Sequence, residues 1–215
     1  MYTRSSGRGA LLASLAVGIA LAGCMREKAP PPAQGNATAM TGMAMPDIKI
    51  PADADYTVAD VAFMQGMIHH HAQALVMAAM APTHGASAQV ALLCKKITIS
   101  QTDEIRMMQS WLKDRNQMVT DANDSHPMMM PGMLSADQLA RLDKARGTEF
   151  DKLFLTFMIQ HHQGAIKMVS DLFASPGGGQ ATEMFEYATG VNNDQSGEIG
   201  KMQDMLTSLP GSKTQ

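Results

Sequence analysis

The stretch that decides the fold occurs twice, first as FMQGMIHHH at residues 63–71 and again as FLTFMIQHH at residues 154–162. A second motif follows each copy: QTDEIRMMQSWL at residues 101–112 matches QSGEIGKMQDML at residues 195–206. An internal repeat of this length dictates the architecture, because each copy must form the same local structure. The chain therefore contains two copies of one unit, each a His/Met segment followed by a Gln/Glu segment.

Both copies have the periodicity of helices. No segment of the sequence alternates with the period of a β-strand over a useful length. Thr57 with Asp60, and Ser135 with Gln138, have the spacing of helix capping boxes, and Gly147 is placed to bend or interrupt the helix that follows Ser135. Four long helices with short turns between paired neighbours predict an all-α fold, an antiparallel four-helix bundle built from two repeated helical hairpins.

Residues 1–23 have the features of an export signal. A basic start is followed by an apolar run at residues 11–21, which is too short for a stable membrane span. The sequence LAGC at residues 21–24 resembles a bacterial lipoprotein processing site, with Cys24 as the lipid-bearing residue. The alternative is an ordinary secretory signal with a chance cysteine. We expect a periplasm-facing, lipid-anchored protein of the bacterial envelope, and Met25 favours the outer membrane.

The mature chain divides into a tether at residues 24–55 and one domain at residues 56–209, with repeat halves at about 56–118 and 135–209. The tether is rich in Pro and Gly and cannot build a core. It contains Met40, Met43 and Met45 with nothing apolar around them, which favours capture of a soft metal ion. The net charge of −3 falls to −5 once Arg4 and Arg8 are removed with the signal. An acidic mature chain argues against a nucleic-acid partner.

Polar and sulfur-containing side chains lie on the faces of the helices that are predicted to point inward. At about 100° per residue, Met67, His70 and His71 share one arc, and Met158, His161 and His162 repeat it. The second and fourth helices place Gln101 with Glu104, and Gln195 with Glu198, on inward stripes. A buried imidazole or carboxylate is costly unless it is paired or coordinated. Two interpretations stay open: the Glu side chains hydrogen-bond the His side chains and fix the packing, or the group binds a metal.

The residue types at these positions favour copper. Ferritin-like di-iron bundles use Glu-x-x-His on two helices, whereas here Met67 and Met158 stand three residues before His70 and His161. Thioether sulfur favours monovalent copper, and carboxylates favour iron or manganese. Cu⁺ is therefore preferred, Cu²⁺ is the second candidate, and zinc is disfavoured because its structural sites use Cys and His. His69 is expected at the surface, where it would help to recruit Cu²⁺.

The duplicated Met-x-x-His-His motif, with Met-Pro-Gly-Met at residues 130–133 between its copies, resembles the domain of unknown function 305 family. The resemblance covers about residues 55–209. It implies a ferritin-like helical bundle, and some members of the family are periplasmic copper-binding proteins tied to copper resistance. Carried over by motif, it implicates both Met-x-x-His-His copies and the Met-Pro-Gly-Met loop, which His126 and two further Met residues extend.

The sequence thus predicts an envelope lipoprotein, not an enzyme, that sequesters, buffers or hands over copper to a delivery partner. The alternatives are a ferritin-like metal-dependent oxidase and a metal-free interaction bundle. Cys94 lies in an apolar run and is predicted to be a buried small hydrophobe, with a soft-metal ligand as the alternative. The candidate metal ligands are Met40, Met43, Met45, Met64, Met67, His70, His71, Met77, Glu104, His126, Met130, Met133, Met158, His161, His162, Met168 and Glu198.

Overall fold

The computed structural model describes residues 48–121 and 130–210, and within them all regular secondary structure is helical. The all-α prediction is confirmed. Helix α1 packs against both α2 and α4, and α4 packs in turn against α5. No helix in the described ranges is long and apolar enough to cross a membrane. The helices are α1 (Val58–Ala79), α2 (Ala88–Asp114), α3 (Ala136–Lys144), α4 (Thr148–Ala174) and α5 (Thr182–Ser208).

Local sequence signals set the helix ends. Both predicted capping boxes form, at Thr57 before α1 and at Ser135 before α3. Gly147 has φ of +58° and separates α3 from α4, so the predicted third helix is two helices. The first repeat half was predicted to end at about residue 118, but its second helix, α2, ends at Asp114. Asn116 adopts φ of +52°, which a continuing α-helix excludes.

The two repeat halves are tied together at equivalent positions. Asp60, in the first turn of α1, accepts a 2.7 Å hydrogen bond from the backbone amide of Gly179, which lies between α4 and α5. Its repeat counterpart Asp151, in the first turn of α4, accepts from the amide of Ser87, between α1 and α2, at 3.2 Å. The start of each His/Met helix therefore lies at the end of the other, and α1 and α4 run in opposite directions.

The core consists of two apolar clusters with a layer of polar side chains between them. One cluster joins the beginning of α1, the end of α2, the end of α4 and the beginning of α5. The other joins the opposite ends of the same four helices. The polar layer, as we call the group between the clusters, contains the buried side chains of His69, His70, His71, Gln101, His161, His162 and Gln195, and the partly buried side chains of Glu104 and Glu198.

Helix α1 is buried on all sides along part of its length, since residues 60–71 are buried without interruption. Besides α2 and α4, the chain on either side of the undescribed residues 122–129 covers it. Gln65 donates to the carbonyl of Met118 at 2.9 Å, and Gln73 donates to the carbonyl of Leu134 at 3.0 Å. This covering corrects the prediction for His69, which is buried with 9% of its surface exposed and does not lie at the surface.

Candidate metal centre

The centre of the polar layer is a pair of histidines, one from each repeat half. His70 on α1 and His161 on α4 face each other with ring centroids 3.8 Å apart and an angle of 37° between the ring planes. Both side chains are completely buried. They occupy equivalent positions of the duplicated motif, so the helix pair that joins the two halves brings the repeated imidazoles into contact.

The hydrogen bonds of His70 and His161 differ. The Nε2 atom of His70 donates to the carbonyl oxygen of Pro131 at 3.0 Å, because a carbonyl can only accept. The Nδ1 atom of His70 then carries a lone pair, and it has no hydrogen-bond partner among the described residues. In His161 neither ring nitrogen has such a partner. Three buried imidazole nitrogens of this pair are therefore unpaired.

Both rings of this pair are held in the neutral form. Burial, reinforced by the positive charge that a protonated His71 would place nearby, lowers the pKa of His70 to about 3. Burial and the neighbouring His70 lower the pKa of His161 well below its ordinary value. Desolvation penalises the charged imidazolium and leaves the lone pairs available at neutral pH. Neutral imidazole is the form that binds metal ions.

The second histidine of each motif is bonded to a glutamate. The Nε2 atom of His71 lies 2.6 Å from Oε2 of Glu104, and the Nε2 atom of His162 lies 2.7 Å from Oε2 of Glu198. Ser100 also donates to the Oε1 atom of Glu104 at 3.1 Å. Although burial alone would raise the pKa of Glu104, the hydrogen bonds and positive charge around it together lower that pKa. The Nδ1 atoms of His71 and His162 are buried without a hydrogen-bond partner.

These hydrogen bonds are the ones that a packing role predicts, and they also fit metal binding. A histidine that binds a metal usually donates its other ring nitrogen to a carboxylate or a backbone carbonyl, which fixes the tautomer. His70, His71 and His162 all have this arrangement, with Nε2 bonded to an oxygen and Nδ1 unpaired. Glu104 and Glu198 thus lie where they orient imidazoles.

The candidate methionines of the helices lie in the apolar clusters on either side of the polar layer. Met67 and Met158, which stand three residues before the stacked histidines, are completely buried. The first cluster contains Met64, Met67, Met130 and Met168, with the partly buried Met133 against it, and the second contains Met77 and Met158. Packing accounts for these positions, and along the chain Met67 and Met158 each stand three residues before a stacked histidine.

The Met-Pro-Gly-Met loop is pressed against α4 beside the stacked histidines. Gly132 has φ of +77°, and a Cβ atom on Gly164 would lie 1.9 Å from the carbonyl oxygen of Pro131. Gln73 holds the end of the loop, accepting from the amide of Leu134 at 2.7 Å. Two glycines therefore let the loop backbone come close enough for Pro131 to accept the hydrogen bond from His70.

Comparison with known proteins identifies the family. The profile of a domain of unknown function, DUF305, matches residues 60–206, which contain the whole polar layer. The chain belongs to the DUF305 family. No curated protein sequence matches it significantly.

Solved structures of the DUF305 family share the fold. A DUF305 fragment from Deinococcus radiodurans is 30% identical, with a TM-score of 0.63 over 72% of this chain and 99% of that one. A DUF305 protein of Streptomyces coelicolor that is considered secreted is 25% identical, with a TM-score of 0.62 over 72% of this chain and 94% of that one. CopM in its Cu(I)-bound form is 28% identical, with a TM-score of 0.55 over 69% of this chain and 95% of that one.

Within this DUF305 domain the structure brings together the two His pairs and the two Glu residues. The predicted ligands Met40, Met43, Met45 and His126, and the lipid-bearing Cys24, lie outside the described residues. Within the described ranges, no group of three or more His, Cys, Asp or Glu is spaced to hold a metal ion by itself. Burial raises the pKa of Cys94 to about 12, which disfavours the thiolate that a ligand would need.

Helical periodicity placed Gln101 and Gln195 of this DUF305 protein on inward stripes, but sequence reasoning did not indicate two polar groups near the layer, the hydroxyl of Tyr187 and the carbonyl of Pro131. Gln101 is buried with neither side-chain atom hydrogen-bonded among the described residues, and the Oε1 atom of its counterpart Gln195 is also unpaired. Their signal was present, since both belong to the duplicated Gln/Glu segment. Tyr187, with its buried and unpaired hydroxyl, and the carbonyl of Pro131 have no repeat counterpart that would have revealed them.

Proposed function

We propose that this protein binds copper as cargo in the polar layer, and that it sequesters, buffers or hands over the ion without catalysing a reaction. The observation that carries the proposal is the set of unpaired nitrogens. His70, His71 and His162 each have Nε2 bonded to an oxygen and a buried Nδ1 with no hydrogen-bond partner, and His161 has two such nitrogens. Burying unpaired polar atoms is unfavourable unless a ligand compensates the cost.

The surroundings of these nitrogens favour monovalent copper over harder ions. Neutral imidazole and thioether groups suit a soft cation. Met67 and Met158 lie about one helical turn before the stacked histidines His70 and His161. Solved forms of CopM contain Cu(I), Cu(II) and silver, which supports the choice of metal. Cu²⁺ is the second candidate for the bound ion. The four long helices, taken as two hairpins, correspond in this proposal to a ferritin-like bundle around the metal.

The proposed setting is the bacterial envelope. The sequence features of residues 1–24 support export and a lipid anchor at Cys24, with the protein facing the periplasm and the outer membrane favoured. The tether would let the domain exchange copper with a delivery partner. Changing Cys24 to Ser is expected to move the protein from the membrane to the soluble periplasmic fraction or to stall its processing. Unchanged membrane fractionation and maturation would refute the anchor.

The copper site is tested by removing the stacked pair. We expect His70→Ala with His161→Ala to abolish the tightest Cu⁺ site, measured by competition against a chromophoric chelator of monovalent copper. The matched control is His84→Ala. His84 is buried as well, but its ring bonds Thr83 and the carbonyl of Asp143 away from the layer. Circular dichroism of both variants without metal shows whether the helices persist.

The competition experiment has two outcomes that would contradict the proposal. If the double variant bound Cu⁺ as tightly as the parent, the duplicated histidines would serve packing alone. If the parent preferred ferrous iron and consumed oxygen on loading, the protein would be a metal-dependent oxidase and not a copper cargo protein. The Met40–Met45 cluster is expected to retain a weaker site in the double variant.

A further inference from the structure

A cleft separates α2 from α5 beside the polar layer, with a volume of about 330 Å³. Four carboxylates line it: Glu186 and Asp194 have no ion-pair partner among the described residues, Glu104 is bonded to His71, and Glu183 is paired with Arg115. Among the described residues no Lys, Arg or His lines the cleft. A cleft lined by one sign of charge concentrates counter-ions, so its potential attracts cations.

The cleft also presents uncharged donors to a cation. Met64 and Met107 line it with thioether groups, and Trp111 lines it as well, with the guanidinium carbon of Arg115 4.2 Å from the centroid of its ring. Tyr187 lines it as well, is more than nine-tenths buried, and has a hydroxyl without a hydrogen-bond partner among the described residues. Burial, and then the negative charge of Glu104, raise the pKa of this hydroxyl well above its ordinary value. A buried hydroxyl left unpaired at the floor of an acidic cleft indicates a ligand that visits it.

Glu104 connects the cleft with the buried histidines. Its side chain is 14% exposed and lines the cleft, while its Oε2 atom lies 2.6 Å from Nε2 of His71. The Nδ1 atom of His71 is one of the unpaired nitrogens of the polar layer. One residue therefore separates the solvent-facing cleft from the imidazoles that would hold the cargo.

The repeat shows that the acidic side chains of the cleft belong to one face only. The repeat counterparts of Glu186, Gly190 and Asp194 on α2 are Leu92, Lys96 and Ser100. The counterpart of Met107 on α5 is Lys201. Duplication alone would have made both faces alike, yet the face at Glu198 has an uncharged residue in place of each of the two acidic ones, and a lysine in place of Gly190 and of Met107.

We propose that the cleft between α2 and α5 is the access site through which a soft monovalent cation reaches the buried histidines, and that the cation passes beside Glu104, which joins the cleft to His71. The inference rests on the proposed function and adds its route. Carboxylates at the rim would capture the cation, thioether and hydroxyl groups would hold it as it loses water, and His71 would receive it beside Glu104.

The route is tested by the rate of silver uptake, because Ag⁺ is a redox-inert soft cation. The chain has a single tryptophan, Trp111, which lines the cleft and reports arrival of the ion through its fluorescence. Stopped-flow mixing in chloride-free buffer gives the rate. We expect Glu186→Gln with Asp194→Asn to slow uptake about 5-fold at low ionic strength, and the difference to vanish at high salt. The control Glu149→Gln with Asp204→Asn has the same change in charge on exposed sites away from the cleft.

A steric variant tests the route without changing charge. The position of a Cβ on Gly190 has no neighbour within 4 Å, so Gly190→Leu would extend into the cleft. Gly197 on the same helix has equally open space and does not line the cleft, which makes Gly197→Leu the matched control. We expect slower uptake for Gly190→Leu alone, with the equilibrium affinity of the histidine site, measured by competition, unchanged within about 2-fold.

Uptake at the parental rate in both cleft variants would overturn the route while leaving the histidine site in place. An equal loss of rate and equilibrium affinity would also overturn it, because the cleft would then be the binding site itself. Failure of the proposed function gives a different result, since the parent would then bind no soft cation that depends on His70 and His161.

Discussion

Replacing Gly164 by Ala is expected to push the Met-Pro-Gly-Met loop off α4. A Cβ atom there would lie 1.9 Å from the carbonyl oxygen of Pro131 and 2.6 Å from the Cα atom of Gly132. Ordinary contacts of a Cβ begin at about 3.4 Å, so the loop would have to retreat by about 1.5 Å. The contacts are with backbone atoms, which cannot rotate away as a flexible side chain can. A retreat of this size breaks the hydrogen bond from His70 to Pro131.

The cost can be worked from these contacts. Leaving a buried hydrogen-bonding group unsatisfied costs about 1–3 kcal/mol, and forcing an extra methyl into a packed site costs a further 1–3 kcal/mol or so. The higher helix propensity of Ala relative to Gly offsets about 1 kcal/mol of this destabilisation. We therefore expect a loss of about 3 kcal/mol in the free energy of unfolding, which for a domain of this size lowers Tm by about 6–12 °C.

Urea and thermal unfolding followed by circular dichroism would measure the loss. The control is Gly197→Ala on α5, where an added Cβ has no neighbour within 4 Å. That variant should be more stable than the parent by about 0.5–1 kcal/mol, because the substitution restricts the unfolded chain at no steric cost. If Gly164→Ala were as stable as Gly197→Ala, the loop would not lie against α4, and the account of why His70 differs from His161 would fail.

Two further predictions concern the polar layer without metal. The folded state keeps His70 and His161 neutral, because their pKa values are lowered, whereas the unfolded chain binds protons below about pH 6.5. The free energy of unfolding therefore has its full value above pH 6.5 and falls as the pH drops toward 3, by at most about 1.4 kcal/mol per pH unit for each histidine. Urea midpoints measured between pH 7 and 5 should show this fall. His70→Gln with His161→Gln should flatten the pH dependence. Gln101→Leu should stabilise the metal-free protein by about 1 kcal/mol or more, because it removes a buried amide with no partner; a destabilised variant would mean that the amide is bonded in solution.

Repetition made much of the fold predictable. One matched motif can arise by chance, but two copies with the same spacing constrain helices, faces and pairing at once. The burial of Met67, His70 and Met158 followed from helical periodicity, and the capping boxes followed from local sequence. Helix ends were less predictable, since the end of α2 depends on the backbone of Asn116, which its residue type does not dictate.

The candidate site could be predicted as a set of residues, but its hydrogen bonds could not. The sequence pattern left two interpretations open: the glutamates hydrogen-bond the histidines and fix the packing, or the group binds a metal. The hydrogen bonds of Glu104 and Glu198 are compatible with both. The partner of His70 is a backbone carbonyl 61 residues away, and any residue type can supply a carbonyl. The burial of His69 likewise depends on how the chain after α2 covers α1, which helical periodicity within α1 does not contain.

The loop between the repeats explains how a duplicated motif gives two different halves. Duplication alone would place two pairs of equivalent imidazoles about a two-fold axis, with His70 and His161 meeting across it. Pro131 bonds only His70, because the loop is a single segment and lies on one side of that axis. His161 is thereby the one histidine of the stacked pair whose ring nitrogens are both unpaired among the described residues. We therefore expect His161 to turn toward an arriving ion at a lower cost than His70, whose Nε2 is already bonded to Pro131.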